Sequence, residues 1–520
     1  MMNIWQVARE YAGIAEAGGV KDVVRDISEN LVKLENTVTV VLPFYGCVEQ
    51  SDIEILPLGK DFTIESYENE FEPVSLWKGE LKGVRLLFIS SQRISEKRGV
   101  YTYTKEDESE DPNKSHGTGH LDFSRMNMLF QKAVVQAALT LEEKIDILHC
   151  HDSHCALVPV FAQERHEASQ FFSETGFLVT IHNAGGAYHQ AICGKEEVLA
   201  YTGLPEMVIE KGMLHNCLIP FLLAAEYSVL NTVSKYYAEE ITKPILDDDH
   251  TQGVALEFYN RNILVRGITN GINTAVHNPK KLTILGNRYS FNPMEHDLVD
   301  KKRVKELVIK ISQQQQVKGI TVYGALHTES QNRPLFAFQG RVTRQKGIAA
   351  LVHTIRELTC SGIDADFIIM GQGEPELEEA VINLIRSTDT SGVCFFWGYD
   401  NEVRKMLYAG SDFLIIPSEF EPCGLTDFTA QLFGTIPIVH GVGGLKKVIP
   451  GETGYAYPGK DGKGLSDTVK TAASDFLHNP EKLNQIRKNA ITCIYAQYTW
   501  PKIVKEQYLP LYKELLRDKK

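Results

Sequence analysis

Arg341 and Lys346 lie in Arg341-Val342-Thr343-Arg344-Gln345-Lys346-Gly347, directly after the apolar run 335–340. A guanidinium and an ammonium at the carboxyl end of a buried strand can neutralise a diphosphate leaving group. Without that context the same residues make a solvated basic turn. Ser418-Glu419-Phe420-Glu421-Pro422-Cys423-Gly424-Leu425 follows a second run, 413–417. Glu421, between an aromatic residue and a proline, can bind sugar hydroxyls or support an oxocarbenium-like transition state, or it caps a helix N-terminus. Glycine pairs stand where strands give way to helices, at Gly18-Gly19 and at Gly443-Gly444. They admit a phosphate to the free N–H groups of a helix start, or they serve turns that need positive φ. Gly371-Gln372-Gly373 begins like a dinucleotide-binding turn, but Glu376 stands in place of the third glycine, so it reads as a turn.

The first half carries His149-Cys150-His151-Asp152-Ser153-His154 and Thr180-Ile181-His182-Asn183. Side chains alternate along a strand, so His149 and His151 share one face and Cys150 takes the other. No HExxH or CxxC accompanies them, so they read as polar groups lining a crevice rather than as metal ligands. Asp247-Asp248-Asp249 has a D-x-D spacing that suits a cation beside a diphosphate. It lies next to Pro244 and Gly253, where charge runs are usually solvated.

The elements that must hold these groups alternate. Short apolar runs fall at 38–42, 84–90, 145–149, 177–181 and 228–233, then at 335–340, 366–370, 393–397, 413–417 and 436–440. Runs of this kind suit strands buried on both faces, hence parallel sheets. Amphipathic stripes separate them: Val20, Val23, Val24, Ile27, Leu31 and Leu34, and Ile348, Leu351, Val352, Ile355 and Leu358. Two such series predict two doubly wound α/β domains, with a hinge over 242–253. The acidic stretch 104–120 reads as a mobile loop. A last helix follows Thr499 and Pro501, with Pro510 expected to kink it. No repeat of solenoid period occurs.

Composition bounds the function. The 520 residues include 54 lysines and arginines against 67 aspartates and glutamates, for a formal net charge of −13. So acidic a chain is a poor partner for nucleic acid or an anionic membrane. No apolar run is long enough to span a bilayer, and no signal segment is evident at the start. Nine cysteines without a CxxC pair point to reduced thiols and a cytoplasmic protein.

Taken together and in order, the motifs closely resemble those of bacterial glycogen synthases and plant starch synthases. AEAGGVKDVV, VVLPFYG, HCHDSHCALVPV, TIHN, TVSKYYAEEI and GITNGINTAVHNP are followed by FQGRVTRQKGI, GQGEPELEEA, PSEFEPCGL, GTIPIVHGVGGL and QYTW. The match covers nearly the whole chain. It implies a GT-B fold of two Rossmann-like domains facing a central cleft: 1–246 on the acceptor side, 247–495 for the nucleotide-sugar, and a helix at 496–520 packing back on the first. It implies glucosyl transfer from ADP-glucose to the non-reducing end of an α-1,4-glucan such as glycogen, with retention, and with neither metal nor other cofactor.

By position, Arg341 and Lys346 match the family's diphosphate-binding pair, and Glu421 its essential carboxylate. Cys423, Gly424 and Leu425 fall in the same motif. Gly443-Gly444 match the donor-phosphate turn and Gly18-Gly19 the turn facing it. His182 matches the histidine bordering the reacting sugar, and Asp152, Asn183 and Tyr101 fall on the acceptor side. Thr429 occupies the place of a second glutamate found in many related transferases, which favours same-face attack over double displacement. The chain departs from the family pattern at Glu16 (lysine), Ser153 (tryptophan), Glu419 (arginine), His440-Gly441 (a basic pair) and Asn273 (aspartate). Those departures leave open UDP-glucose as donor, a different acceptor, or a catalytically silent glucan-binding protein. The lysine motif of a pyridoxal-phosphate phosphorylase, which shares the fold, is not apparent.

Overall fold

A computed structural model describes residues 1–243, 250–387, 392–459 and 462–517. The D-x-D run at 247–249 lies outside them. Contacts divide the chain into two compact units, Met1–Asn270 with Trp500–Lys520, and Gly271–Thr499. The sequence places the first boundary at 246/247 and the return at 495/496. The chain instead completes one more strand, Val265–Gly267, pairing in parallel with Val229–Thr232, before it leaves the first unit. The helix Pro480–Gln497 stays wholly in the second.

The first unit is built on a nine-stranded sheet among the described residues. Asn3–Val7 lies inside it, with Thr37–Pro43 parallel on one side and Ile147–His151 parallel on the other. Strand order therefore reverses beside Asn3–Val7, where an open α/β sheet leaves a crevice at its carboxyl edge. Gly176–Ile181, Val229–Thr232 and Val265–Gly267 extend one wing, and Val84–Ser90 the other. Beyond Val84–Ser90 an antiparallel hairpin, Leu56–Tyr67 and Glu70–Leu81, forms the edge. Its mixed polar sequence gives no long apolar run, so periodicity alone missed it. The strand expected at 145–149 runs over Ile147–His151, which brings His151 into the sheet.

The second unit has, among the described residues, an eight-stranded sheet whose order reverses beside Leu335–Gln339. That strand pairs in parallel with Asp366–Gly371 on one side and Phe413–Ile416 on the other. The apolar runs are continuous because both faces are covered. Ala337, Ile368, Met370, Leu414 and Ile416 pack into one hydrophobic layer. Phe336, Phe338, Phe367, Ile369 and Ile415 pack into the other. Helix Ile348–Cys360 buries Ile348, Leu351, Val352, Ile355 and Leu358 on the second layer, each worth about 1.5–3 kcal/mol.

Three expectations change. Residues 104–120 are not simply a loop: Lys105–Glu110 is a helical turn closed by a capping box between Thr104 and Asp107, with Arg98 paired to Asp107 and Glu110. The cysteines are not all reduced. Cys193 and Cys217 are directly opposed on short antiparallel strands and form a disulfide. Pro510 lies in the first turn of Leu509–Arg517, directly after a π-helical turn, Val504–Tyr508, so the irregularity beside the proline is a widened turn. No described helix is long and apolar enough to cross a membrane.

Candidate active site

In the second unit the reversal point collects the residues expected to bind an anion and a sugar. Lys346 Nζ donates to Glu421 Oε2 at 2.6 Å, and Ser418 Oγ donates to the same oxygen at 3.0 Å. Gly347 caps the following helix at φ +71, and a Cβ there would meet Pro417 O at 2.0 Å, so the lysine loop lies directly on the Glu421 segment. Burial opposes ionisation of Glu421. The charge and hydrogen bond of Lys346, with Ser418 and Lys447 adding, outweigh it and hold the carboxyl below its usual range. Glu421 thus stays an acceptor at neutral pH.

The glycine pair nearby is explained mainly by packing. A Cβ on Gly444 would meet Cys423 O at 2.2 Å, and Gly444 N donates to Glu421 O at 2.8 Å, so that amide anchors the Glu421 backbone. Gly424, at φ +72, lies against Leu445. Lys447, not singled out in the sequence, is buried beneath this turn. Its Nζ donates to Gly424 O at 2.6 Å and Gly444 O at 3.1 Å, and it pairs with buried Asp427 at 3.0 Å. Burial raises the Asp427 carboxyl to about 6 despite that lysine. Leu425 packs with Phe428 and Ile494.

Arg341 is exposed and donates to Gln345 at 3.1 Å. It lines a cavity of about 380 Å³ with Gln339, Gln372, Tyr399, Arg404 and Thr426. Gln339 Oε1 and Arg404 Nε are buried there without a hydrogen-bond partner among the described residues. Gly371 and Gly373 are required by close approach to Gly340 O and Val342 O, which accounts for that motif as a turn. Thr429 is buried and its hydroxyl donates to Leu425 O, so it supplies no charge. Among the departures, Glu419 is tied by its backbone to Gln345 O at 2.8 Å. His440 Nδ1 meets Ser418 O at 2.9 Å while its ring stacks on Tyr457.

In the first unit Asp152 follows Ile147–His151 at φ 62, a left-handed position that aspartate tolerates. Its Oδ1 accepts from His182 N at 2.7 Å and Asn183 N at 3.4 Å. Burial lifts its carboxyl to about 7, although both amides oppose the rise. Asn183 Oδ1 folds back on Gly185 N at 2.8 Å, and Tyr237 OH accepts from Ala184 N at 2.9 Å, so the 182–185 loop is held from both sides. Tyr101 OH donates to Glu10 Oε1 at 2.6 Å, and its ring lies 5.2 Å from His154.

Glu10 was missed in the sequence because a lone carboxylate before a glycine turn carries no pattern. Its Oε2 accepts from Gly18 N at 2.5 Å and Ala17 N at 3.3 Å, so the turn already holds an internal anion. A Cβ on Gly18 would lie 3.3 Å from Glu10 Oε1, so a larger residue there would displace that carboxylate by a few tenths of an ångström. Gly19 has open space and an ordinary helical φ of −85, so nothing local requires glycine there. Glu16 is exposed and accepts from Gly13 N at 2.6 Å. Arg9, buried between the Tyr45 and Tyr101 rings, was also unmarked in the sequence. Among the described residues no group of three or more His, Cys, Asp or Glu is placed to hold a metal ion. His149 and His151 spend their ring nitrogens on other partners.

Two doubly wound units, each gathering its polar groups where strand order reverses, are the architecture of GT-B glycosyltransferases. Within that class the chain is similar to the glycogen and starch synthases. Residues 3–256 match the starch synthase catalytic domain, and residues 325–492 match glycosyl transferases group 1. The chain is similar to glycogen synthase of Thermodesulfovibrio yellowstonii, 27% identical over all of this chain and 99% of the relative. It is equally 27% identical to glycogen synthase of Exiguobacterium sibiricum, over 98% and 99% of the two chains. Among solved structures it resembles the catalytic domain of starch synthase IV from Arabidopsis thaliana bound to ADP and acarbose. That likeness has a TM-score of 0.79 and 24% identity and covers 99% of each chain.

Proposed function

We propose that this glycosyltransferase moves glucose from ADP-glucose to the non-reducing end of an α-1,4-glucan, with retention and without a metal. The observation that carries the reading is the Lys346–Glu421 ion pair at the reversal point of the second sheet. Lys346 and Arg341 neutralise the departing diphosphate, which otherwise leaves with its charge unsupported. Glu421, held ionised, accepts hydrogen bonds from hydroxyls of the transferring glucose. The base enters the cavity beside Arg341. There Tyr399 offers a ring face, and Gln339 Oε1 and Arg404 Nε offer one acceptor and one donor. His182, Asp152, Asn183 and Tyr101 serve the glucose and the acceptor hydroxyls.

Thr429 carries no charge, so a covalent glucosyl intermediate on a second carboxylate has no support at that position. Attack on the face from which the diphosphate leaves, through an ion-pair-like transition state, accounts for retention. The solved starch synthase IV holds ADP, and that nucleotide supports ADP-glucose as the donor.

Incubation with glycogen and either ADP-glucose or UDP-glucose, followed by glucan product and nucleoside diphosphate, tests the proposal. ADP-glucose is expected to extend glycogen with α-linkages. Glu421→Ala and Lys346→Ala are each expected to lower kcat by about 10²–10³, the scale of removing one transition-state electrostatic contact. Glycogen binding with no extension from either donor would leave a silent glucan-binding protein instead.

A further inference from the structure

His182 is the last member of a buried hydrogen-bond chain that crosses the first sheet. Gln6, His149, His151, Thr180 and Asn231 come from four neighbouring parallel strands. Strand register pairs Gln6 with His149, His151 with Thr180, and Thr180 with Asn231, so all five share one face. Helix Leu509–Arg517 covers that face and inserts Tyr512, which is fully buried. The chain can be followed atom by atom. Thr180 Oγ1 meets Asn231 Oδ1 at 2.6 Å, and His149 Nε2 meets Thr180 Oγ1 at 2.6 Å. His149 Nδ1 meets Tyr512 OH at 2.8 Å, and Gln6 Nε2 meets the same hydroxyl at 3.3 Å. Gln6 Oε1 meets His151 Nε2 at 2.6 Å, and His151 Nδ1 meets His182 Nε2 at 2.9 Å.

Direction follows from which atoms can donate. Asn231 Oδ1 only accepts, so the Thr180 hydroxyl donates to it and must accept from His149 Nε2–H. His149 Nδ1 is then bare and accepts from the Tyr512 hydroxyl, whose oxygen accepts from the Gln6 amide N–H. Gln6 Oε1 only accepts, so His151 carries its proton on Nε2 and presents a bare Nδ1. His182 must therefore carry its proton on Nε2. Two separate amides, Asn231 and Gln6, impose the same sense, and reversing it requires turning both. Burial holds all three rings neutral: His149 and His182 are pushed down to about 3, and His151 well below its ordinary value.

We propose that Gln6, His149, His151 and Tyr512 are positioning residues that fix the tautomer of His182, leaving its Nδ1 lone pair to accept a hydrogen bond from a sugar hydroxyl. Nδ1 has no hydrogen-bond partner among the described residues, and His182 as a whole keeps 9% of its surface exposed. A ring free to take either tautomer offers a donor part of the time and loses that contact. The role of the sugar rests on the transferase reading above; the tautomer does not.

The full-length protein labelled with ¹⁵N-histidine gives the tautomers directly from two-bond ¹H–¹⁵N correlations, in the absence of substrate. His149, His151 and His182 are all expected to be neutral and protonated on Nε2, with each signal assigned by single substitution. Protonation of His182 on Nδ1, or an imidazolium at neutral pH, would overturn the proposal whether or not the protein transfers glucose. Tyr512→Phe removes the hydroxyl that joins the two amide-directed halves. It is expected to mix the His182 tautomers and to lower kcat about fivefold to tenfold, the worth of one hydrogen bond, with the donor KM unchanged. Gln6→Glu still accepts from His151 and is expected to restore the Nε2–H form and most of kcat, whereas Gln6→Leu is not. Unchanged tautomers and kcat in both Tyr512→Phe and Gln6→Leu would reduce the network to packing.

Discussion

At the residue scale the two carboxyls that matter most are pushed in opposite directions. Glu421 is held ionised by Lys346, so its ion pair contributes stability above the usual carboxyl value of about 4.3 and loses it as the pH falls through the depressed folded value. Asp152 has no cation beside it among the described residues, and burial raises it to about 7 from about 3.9 in an unfolded chain. The folded chain therefore keeps a proton that the unfolded chain releases, and ionisation penalises the fold increasingly from about pH 4 to about pH 7, then fully above. Asp152→Asn keeps an acceptor for the His182 and Asn183 amides but removes the penalty. Its melting temperature relative to the parent is expected to improve between about pH 5 and about pH 8. Melting curves at both values check this, and a constant difference would contradict the assignment.

At the scale of elements, the short antiparallel strands Ile192–Cys193, Met213–Leu214 and Cys217–Leu218 form a small sheet of their own. Two-residue strands make too few hydrogen bonds to persist alone, and the Cys193–Cys217 bond closes a segment with a sequence separation of 24. A loop of that size is worth up to about 3.5 kcal/mol of chain entropy. Cys217→Ser is expected to lower stability by about 1–3 kcal/mol in denaturant titrations. Thiol counting on the denatured, unreduced protein is expected to find the seven free cysteines. Nine would mean the pair is open.

At the scale of the whole molecule, the last segment belongs to the first unit although the second precedes it in the chain. Trp500, Ile503, Val504, Tyr508, Leu511, Tyr512 and Leu515 all enter the first core. A Cβ on Gly176 would lie only 2.8 Å from Leu515 Cβ, so the glycine makes room for that side chain. Large apolar side chains are worth about 1.5–3 kcal/mol each, which together rivals the 5–15 kcal/mol that usually holds a domain. A chain ending at Thr499 is expected to lose protection from hydrogen exchange throughout 1–270 while 271–499 keeps its own. Uniform protection in both would show that the segment is dispensable.

Much of this was legible in the sequence. The apolar runs and helical stripes marked two largely parallel sheets, because strands covered on both faces are mostly apolar on both. Arg341, Lys346 and Glu421 could be marked because strand-end position and residue type together restrict their chemistry. The antiparallel edge hairpin was not legible, since one wet face dilutes its pattern, and the disulfide was not, since spacing says nothing about which cysteines face each other. The sequence by itself determined the likeness to glycogen and starch synthases, the two-sheet architecture and the residue types at the reversal points, all of which depend on local pattern and order. Only the tertiary structure decided that Glu10 fills the first glycine turn, that Lys447 supports the second, and that Tyr512 reaches His149 through a segment hundreds of residues away. Those facts depend on burial and on which neighbour satisfies each polar atom, and chain order does not encode either.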